Sequence, residues 1–246
     1  MLSKNQTKRI TSLKQKKYRQ QEGVFVVEGL KSVTEFLKSS YELEVVYYNN
    51  EEFIADLEPV AKEQSVQINS TELERISFLT TAPQVLGVFK IPEEKLILKN
   101  GITVVLDDIR DPGNLGTIIR LCDWFGVSQL VCSLQTVDCY NPKVVQATMG
   151  SLSRVGIQYT NLPSFLEEDK RPVFGTFLQG NSIYKMDRVT DALIVMGNEA
   201  NGISERVATY VDNRITIPQF GVSKSTESLN VATATAICLN EFFRPR

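Results

Sequence analysis

Three polar turns in the second half of the chain carry the residue types that could do chemistry. They contain Asn114 and Arg120, then Asn198-Glu199, then Ser228-Leu229-Asn230. Amides, a hydroxyl and a carboxylate can orient a hydroxyl or amine of a substrate, and an arginine can bind an oxyanion. We expect these turns to converge on one site, although more than a hundred residues separate the first from the last.

The spacing within the first turn leaves two arrangements open. Asn114 and Arg120 are six residues apart in a predicted helix, which gives about 240° of net rotation, so they do not share one stripe. They could serve one pocket from opposite sides, or one of them could reach into a partner subunit. Each turn also has a simpler explanation, because Gly, Asn and Ser favour turns and helix caps for conformational reasons alone.

The elements that must position these turns form a predicted parallel sheet. Residues 102–106 are an almost unbroken β-branched run, typical of a strand covered on both faces. Ligands bind beyond the carboxyl ends of such strands, and the turns fall there. The predicted strands are 102–106, 127–132, 155–159, 173–177, 193–196 and 214–217. The predicted helices are 113–125, 142–149, 164–168, 203–209 and 228–243. Asp111 or Asn114 is available to cap the first of these helices, and Ser228 or Asn230 the last.

The first half is predicted to be a compact α/β module of about 70 residues. Its strands are predicted at 24–27, 43–48, 66–69 and 85–91, with helices at 30–37 and 51–64. Thr71-x-x-Glu74 has the spacing of a capping box for a further short helix. A polar stretch between Pro92 and Gly101 predicts the boundary, so we expect domains at residues 1–95 and 101–246.

Basic charge is concentrated at the N-terminal end. Residues 1–20 hold seven Lys and Arg residues and no acid, whereas the other residues carry 20 cations against 29 acids, a balance of −9. A basic arm on an acidic body suits a polyanion such as RNA, because each phosphate contact releases condensed counterions. The alternative is a solvated, partly helical tail.

Composition excludes several classes of site. The chain has no histidine, which removes histidine-based nucleophile arrangements and histidine metal sites. Its four cysteines lack CxxC spacing and are expected to be core residues in a reducing compartment. No apolar run reaches the roughly 18 residues of a membrane span, and the N-terminus lacks a secretory signal pattern. We expect a cytoplasmic protein with no membrane contact and no metal.

Together and in this order, the three turns resemble the three motifs of the SpoU-type RNA ribose methyltransferases of the SPOUT superfamily. The resemblance covers residues 101–246, and the module before it resembles the family's RNA substrate-binding domain in element order. It implies an α/β fold: a SPOUT-type, mainly parallel sheet that is knotted and flanked by helices, preceded by the small α/β domain. It also implies a homodimer.

The implied activity is methyl transfer from S-adenosylmethionine to a ribose 2′-hydroxyl in structured RNA, either ribosomal or transfer RNA. The positions carried over for the cofactor are Gly197, Asn198, Ile217 and Leu229. Those carried over for catalysis are Asn114, Arg120, Glu199, Ser228 and Asn230. In the family, the arginine matching Arg120 is proposed to take the hydroxyl proton, but a guanidinium with a pKa above about 12 resists that role. Arg120 is therefore either an unusual base or a clamp on phosphate and hydroxyl.

The sequence departs from the family pattern in two places beside the site. Glu199-Ala200-Asn201-Gly202 replaces the common Glu-Gly-x-Gly, and the loop 222–227 is a few residues longer than usual. The polar set is complete, which favours an active enzyme. The main alternative is a non-catalytic RNA-binding or ribosome-assembly protein on the same fold. An unrelated nucleotide-binding enzyme is disfavoured because no GxxxxGK[ST] motif occurs.

Overall fold

The computed structural model describes residues 2–55, 59–93, 100–187, 189–221 and 227–245. Three predicted features fall partly outside these residues: the helix over 51–64, the boundary between Pro92 and Gly101, and the loop 222–227. The chain forms two compact units. The first comprises Met1–Glu93 with Asp138–Ser153, and the second comprises Glu94–Val137 with Arg154–Arg246. The first unit thus takes in a segment from the middle of the chain, which nothing in the sequence indicated.

The helices and strands follow one another along both units. In chain order they are α1 (Lys4–Ser12), α2 (Lys16–Glu22), β1 (Val24–Glu28), α3 (Leu30–Leu37), β2 (Leu43–Tyr48), α4 (Glu51–Ala55), α5 (Pro59–Glu63), β3 (Ser65–Gln67), α6 (Ser70–Ile76), β4 (Val85–Lys90), β5 (Ile102–Leu106), α7 (Pro112–Phe125), β6 (Gln129–Ser133), α8 (Pro142–Thr148), β7 (Gly156–Thr160), α9 (Leu162–Glu168), β8 (Val173–Ser182), β9 (Ala192–Met196), α10 (Glu205–Ala208), β10 (Asn213–Thr216) and α11 (Val231–Phe243).

The first unit is built on a four-stranded sheet in the order β1, β4, β2, β3. β4 pairs antiparallel with β1 and β2, and β2 pairs parallel with β3. All five residues of β1 are buried, and α8 from the later segment packs on this strand. Tyr140, just before α8, lies against Phe25 with ring centroids 4.6 Å apart. The core of the first unit is therefore completed by residues distant in sequence.

One local prediction in the first unit is wrong. The capping box lies at Asn69 and Glu72 rather than at Thr71 and Glu74. Asn69 has extended backbone angles and accepts from the backbone N–H of Glu72, whereas Thr71 is already inside α6. The helix predicted over 51–64 is described only in part, because α4 and α5 fall within it while residues 56–58 lie outside the described residues.

The basic N-terminal arm is folded into the first unit. It forms α1 and α2, and Ile10 and Leu13 lie in the core with 2% and 1% exposure. The interpretation of residues 1–20 as a solvated tail is therefore wrong. Its two anchoring side chains are surrounded in sequence by charged and polar residues, so the apolar signal is weak.

Two of the arm's seven cations are used inside the unit. Arg9 pairs with Glu22 on α2 and with Glu44 on β2. Arg19 is 2% exposed, pairs with Asp138 and donates to two backbone carbonyl oxygens. The five lysines are exposed, and none of them pairs with a carboxylate in the described part of the chain. They are Lys4, Lys8, Lys14, Lys16 and Lys17.

The second unit is built on a six-stranded sheet in the order β10, β8, β9, β5, β6, β7. Every pairing among these described strands is parallel, which confirms the predicted mainly parallel α/β sheet. β5 lies inside the sheet, and Val104, Val105 and Leu106 have 0% exposure. Some bounds differ from the prediction, since β8 continues to Ser182 and α10 is only four residues long.

Two helices of the second unit carry site residues. Asp111 caps α7 and Gly126 ends it in the left-handed region at φ +72°, as predicted. The last helix begins at Val231 with Asn230 as its cap, so the predicted start at residue 228 is wrong. α11 packs against α7, and this contact accounts for the small Ala and Thr residues in its first turns, which let another backbone come close.

Candidate active site

Hydrogen bonds join the three polar turns at the carboxyl ends of the parallel strands. Asn114 donates from Nδ2 to Glu199 Oε1 at 2.9 Å, and Asn230 donates from Nδ2 to Asn114 Oδ1 at 2.9 Å. The amide of Asn114 therefore links a carboxylate from one turn to an amide from another. Three residues spread over 116 positions form one continuous chain of donors and acceptors, which we call the amide relay.

The first turn is held by the end of α7. Asp111 accepts from the backbone N–H of Asn114 at 2.8 Å, and Pro112 occupies the first helical position, where a missing N–H costs nothing. The backbone N–H of Asp111 also points to Glu199 Oε1, at 3.4 Å. Asn114 thus has its backbone fixed by the cap and its side chain fixed by Glu199.

The second turn folds back on itself. Asn198 and Gly202 exchange two backbone hydrogen bonds of 2.9 Å, and a Cβ at Gly197 would lie 2.2 Å from the carbonyl carbon of Gly202. Only glycine fits at 197 for that reason. The Asn198 side chain accepts from the backbone of Ala200 and Asn201, so it shapes the turn that presents Glu199.

The third turn places Asn230 in two roles. Its Oδ1 accepts from the backbone N–H groups of Ala232 and Thr233, at 3.0 and 3.2 Å, while its Nδ2 donates to Asn114. The Asn230 side chain therefore serves both as the cap of α11 and as a member of the site. Ser228 is exposed, lies two residues before the cap, and has no hydrogen-bond partner within the described ranges.

Arg120 is not part of the amide relay within one chain. It is exposed on α7, about 240° around the helix from Asn114, as the spacing requires. No described residue accepts a hydrogen bond from its guanidinium. Trp124, one turn further along the same stripe, is 86% exposed. This outer face of α7 therefore combines an unpaired cation with a large apolar side chain.

The residues predicted to hold a cofactor occupy ends of parallel strands or the turn before α11. Gly197 follows β9 directly, and Ile217 follows β10 and is half-buried. Leu229 precedes the Asn230 cap and is 48% exposed. An aliphatic side chain held open beside amide-rich turns suits a ligand with an aromatic ring and polar substituents.

Three residues that sequence reasoning passed over lie in or beside the first turn. Asp107 is 6% exposed and accepts from the backbone of Ser204 at 2.7 Å, which anchors the far side of the second turn. Asp108 adopts φ +61°, receives a hydrogen bond on its carbonyl oxygen from Asn198 at 2.6 Å, and donates its N–H to Ser133. The signal was two acids directly after a buried strand.

Arg110, the third of these residues, lies at the surface of the same turn. Its side chain is 71% exposed, and it donates from Nε and Nη2 to the two carboxylate oxygens of Asp108, both at 3.0 Å. Asp108, and to a smaller extent Glu199, raises the pKa of the Arg110 guanidinium, which stays charged. It is the cation that balances an otherwise acidic group of turns.

Other chemistries find little support among the described residues. They include no group of three His, Cys, Asp or Glu side chains that could hold a metal ion. All four cysteines are buried, as expected, and none forms a disulfide with another described residue; burial raises the pKa of Cys122 and of Cys238 to about 12. Such thiols are not nucleophiles at neutral pH. No helix in the described ranges is long and apolar enough to cross a membrane.

Comparison with known proteins places this site in context. The profile of the SpoU rRNA Methylase family matches residues 101–240, and that of the MRM3-like substrate binding domain matches residues 4–87. A Bacillus subtilis protein named 23S rRNA (guanosine(2553)-2′-O)-methyltransferase is 32% identical over 227 residues, which cover 90% of this chain and 89% of that protein.

Solved structures of related proteins superpose on this chain over nearly its whole length. A TrmH-family protein from Porphyromonas gingivalis superposes with a TM-score of 0.90 at 38% identity, covering 98% of both chains. The AdoMet-bound rRNA methyltransferase from Sinorhizobium meliloti superposes with a TM-score of 0.88 at 30% identity, covering 99% of this chain and 97% of that one.

Proposed function

The chain belongs to the SpoU rRNA methylase family, and we propose that it transfers the methyl group of S-adenosylmethionine to a ribose 2′-hydroxyl of ribosomal RNA. The amide relay carries this proposal, because it gathers neutral donors and one carboxylate where a parallel sheet binds its ligands. Such groups can orient a sugar hydroxyl without a metal or a thiol. The Bacillus subtilis relative is named for this reaction on 23S rRNA.

The reaction needs a bound methyl donor, and the residues present fit it. S-adenosylmethionine supplies an electrophilic methyl group on a sulfonium. We propose that Ile217 and Leu229 flank its apolar part, while the turn of Gly197 and Asn198 and the backbone before Asn230 bind its polar groups. Support comes from the exposed Leu229 beside this turn and from the AdoMet-bound relative of similar structure.

The protein must orient the 2′-hydroxyl, accept its proton and exclude water while oxygen forms a bond to the methyl carbon and the carbon–sulfur bond breaks. Asn114 keeps one Nδ2–H beyond its bond to Glu199, and Glu199 keeps acceptor capacity on its other oxygen. These two groups position the ribose in our proposal. Asn230 fixes the Asn114 amide, and Ser228 sets the width of the cleft.

Arg120 belongs to the catalytic set in our proposal, with two open roles. It acts as an unusual base, or it clamps an RNA phosphate and the hydroxyl while the proton leaves by another route. A guanidinium keeps its proton at any physiological pH, so physical chemistry favours the clamp. The single-turnover rate of methylation by Arg120→Ala shows whether the arginine takes part in catalysis. Arg120→Lys keeps the positive charge but not the planar set of N–H donors, so it separates charge from bidentate binding.

A homodimer would bring Arg120 to a site, and we propose one. The outer face of α7 carries Arg120, which has no partner among the described residues, and Trp124 with 86% exposure. Phe243 on the neighbouring α11 is 40% exposed. A second copy of the chain would cover this apolar surface and could receive the arginine. Light scattering of the purified protein measures the mass directly, and Trp124→Glu should reduce a dimer to monomers.

Further parts of the proposal concern organisation. Residues 1–95 form an RNA substrate-binding domain, residues 101–246 form the methyltransferase domain, and the sheet of the latter is knotted as a trefoil. The match of residues 4–87 to a substrate-binding profile and the five exposed lysines on α1, α2 and the turn between them support the RNA role. The proposed location is the cytoplasm, where the four cysteine thiols would stay reduced.

The decisive experiment maps ribose methylation in ribosomal RNA from cells with and without this gene. We expect one modified nucleotide to disappear, and the position in the Bacillus subtilis relative's name is the first to inspect. Purified protein and S-adenosylmethionine should restore that methylation in RNA from the deletion strain. An unchanged map, together with no heat on titration with S-adenosylmethionine, would favour a non-catalytic RNA-binding protein.

A further inference from the structure

The turn from β5 to α7 alternates between anchored and outward-facing side chains. Asp107 and Ile109 are buried, with 6% and 0% exposure, while the Asp108 and Arg110 side chains are 26% and 71% exposed. Backbone groups of this turn bond to Met196, Ser133, Asn198 and Val137. The exposed side chains of Asp108 and Arg110 are therefore carried by a backbone that is held by hydrogen bonds, next to the amide relay.

Asp108 holds the guanidinium of Arg110 from one side only. The two bonds use Nε and one N–H of Nη2, and no described residue accepts from Nη1. Two N–H groups on Nη1 and one on Nη2 thus remain for another acceptor. Because Asp108 already holds one edge of the planar guanidinium, the side chain loses little conformational entropy when its other edge binds an oxyanion. Phosphate oxygens match the spacing of the N–H groups on that edge.

The negative charge of the residues near the amide relay must be offset by a cation if RNA is to bind there. Asp107, Asp108, Asp111 and Glu199 bring four carboxylates to the turns that meet there, and a polyanion approaching them would be repelled. In RNA, the 2′-hydroxyl and the 3′-phosphodiester are on adjacent ribose carbons. Any site that holds the hydroxyl must therefore accommodate a phosphate a few ångströms away.

We infer that Arg110 binds the phosphodiester on the 3′ side of the target ribose, and that Asp108 is a positioning residue that aims its guanidinium. This inference rests on the proposed function and adds a contact to it. Asp108 aims the guanidinium from a left-handed backbone at φ +61°, a conformation that few residues other than glycine, asparagine and aspartate adopt. The same conformation directs its carbonyl oxygen to the Asn198 side chain.

The test compares full-length variants on ribosomal RNA from the deletion strain. Arg110→Ala should raise the KM for RNA about tenfold, leave the affinity for S-adenosylmethionine unchanged, and reduce the salt slope of RNA binding by about 0.7 to 0.9, the contribution of one phosphate. Arg110→Lys should keep the salt slope and lose part of the affinity. Arg154→Ala is the matched control, because Arg154 is an exposed arginine of the same unit paired with Asp123.

Asp108→Asn separates positioning from simple charge. Asparagine tolerates the left-handed backbone and keeps the carbonyl bond to Asn198, so folding should be preserved. If Asp108 aims the arginine, the KM for RNA rises severalfold although a negative charge has been removed. If Asp108 only repels RNA, the KM falls, and the positioning role is excluded.

An unaltered KM and salt slope in Arg110→Ala would overturn the phosphate contact. The proposed function fails differently, because wild-type protein would then not methylate RNA at all. In that case the salt dependence of RNA binding still tests Arg110, since it needs no turnover.

Discussion

Replacing Asn230 by aspartate separates the helix cap from the amide relay. Asn and Asp are comparable caps, and the aspartate oxygen can still accept from Ala232 and Thr233. The Nδ2 donor to Asn114 is lost, and a carboxylate takes its place opposite Asn114 Oδ1. The free energy of unfolding should therefore stay within about 0.5 kcal/mol of wild type, while the site is damaged.

The expected loss of activity follows from two contributions. Removing one hydrogen bond costs about 1 kcal/mol, and a new negative charge near Glu199 costs about 1 kcal/mol more in an exposed, water-rich site. Together they lower kcat/KM for RNA methylation about thirtyfold. Asn230→Ser keeps a cap oxygen without adding charge, so it should lose only about fivefold.

The assay is methyl transfer from labelled S-adenosylmethionine, run beside urea denaturation followed by circular dichroism. Asn161→Asp is the matched control, because Asn161 caps α9 in the same unit through the same kind of bond. Wild-type methylation by Asn230→Asp would refute the view that the relay orders the site. A parallel fall in stability and activity would assign Asn230 to folding alone.

Three further predictions concern the first unit. Burial raises the pKa of Glu28, so the folded protein favours the protonated carboxyl, and the unfolding free energy should fall as pH rises from about 4.5 through the raised pKa. Denaturation measured at several pH values should show this slope in wild type and not in Glu28→Gln. Arg19→Met leaves the Asp138 charge without its buried partner and should cost about 3 kcal/mol in urea denaturation, while a neutral result would contradict this assignment. Lys8→Gln and Lys16→Gln together should lower the salt slope of RNA binding by about 1.4 to 1.8 without altering the melting temperature; an unchanged slope would place RNA on another face.

Local features of the fold were predictable because their signals are local. The β-branched run of residues 102–106 indicated an interior parallel strand, and Asp111 and Gly126 marked the ends of α7. The cap of α6 was missed because Asn69-x-x-Glu72 and Thr71-x-x-Glu74 have the same spacing. Spacing alone cannot choose between two overlapping boxes, and backbone conformation decides.

Non-local features needed the structure. The burial of Ile10 and Leu13 depends on a sheet built from residues far along the chain, and Arg19 finds its carboxylate 119 positions away. At the site, motif resemblance named Asn114, Glu199 and Asn230, but the order of donors and acceptors among them could not be deduced from spacing. Asp108 was passed over because the two acids after a buried strand do not reveal its left-handed backbone or its bonds to Ser133 and Asn198.

The segment Asp138–Ser153 has a consequence for how the protein is made. The first unit receives Tyr140 against Phe25 and Asp138 against Arg19 only after residue 153 has left the ribosome. At 5 to 20 residues per second, that interval after residue 93 is roughly 3 to 12 s. During it, Phe25 lacks its contact with the Tyr140 ring, and the guanidinium of Arg19 lacks its carboxylate partner. Fragments that end before residue 138 lack these contacts, so they should expose apolar surface, aggregate and be poorly soluble. Fragments that end beyond residue 153 contain every part of that core.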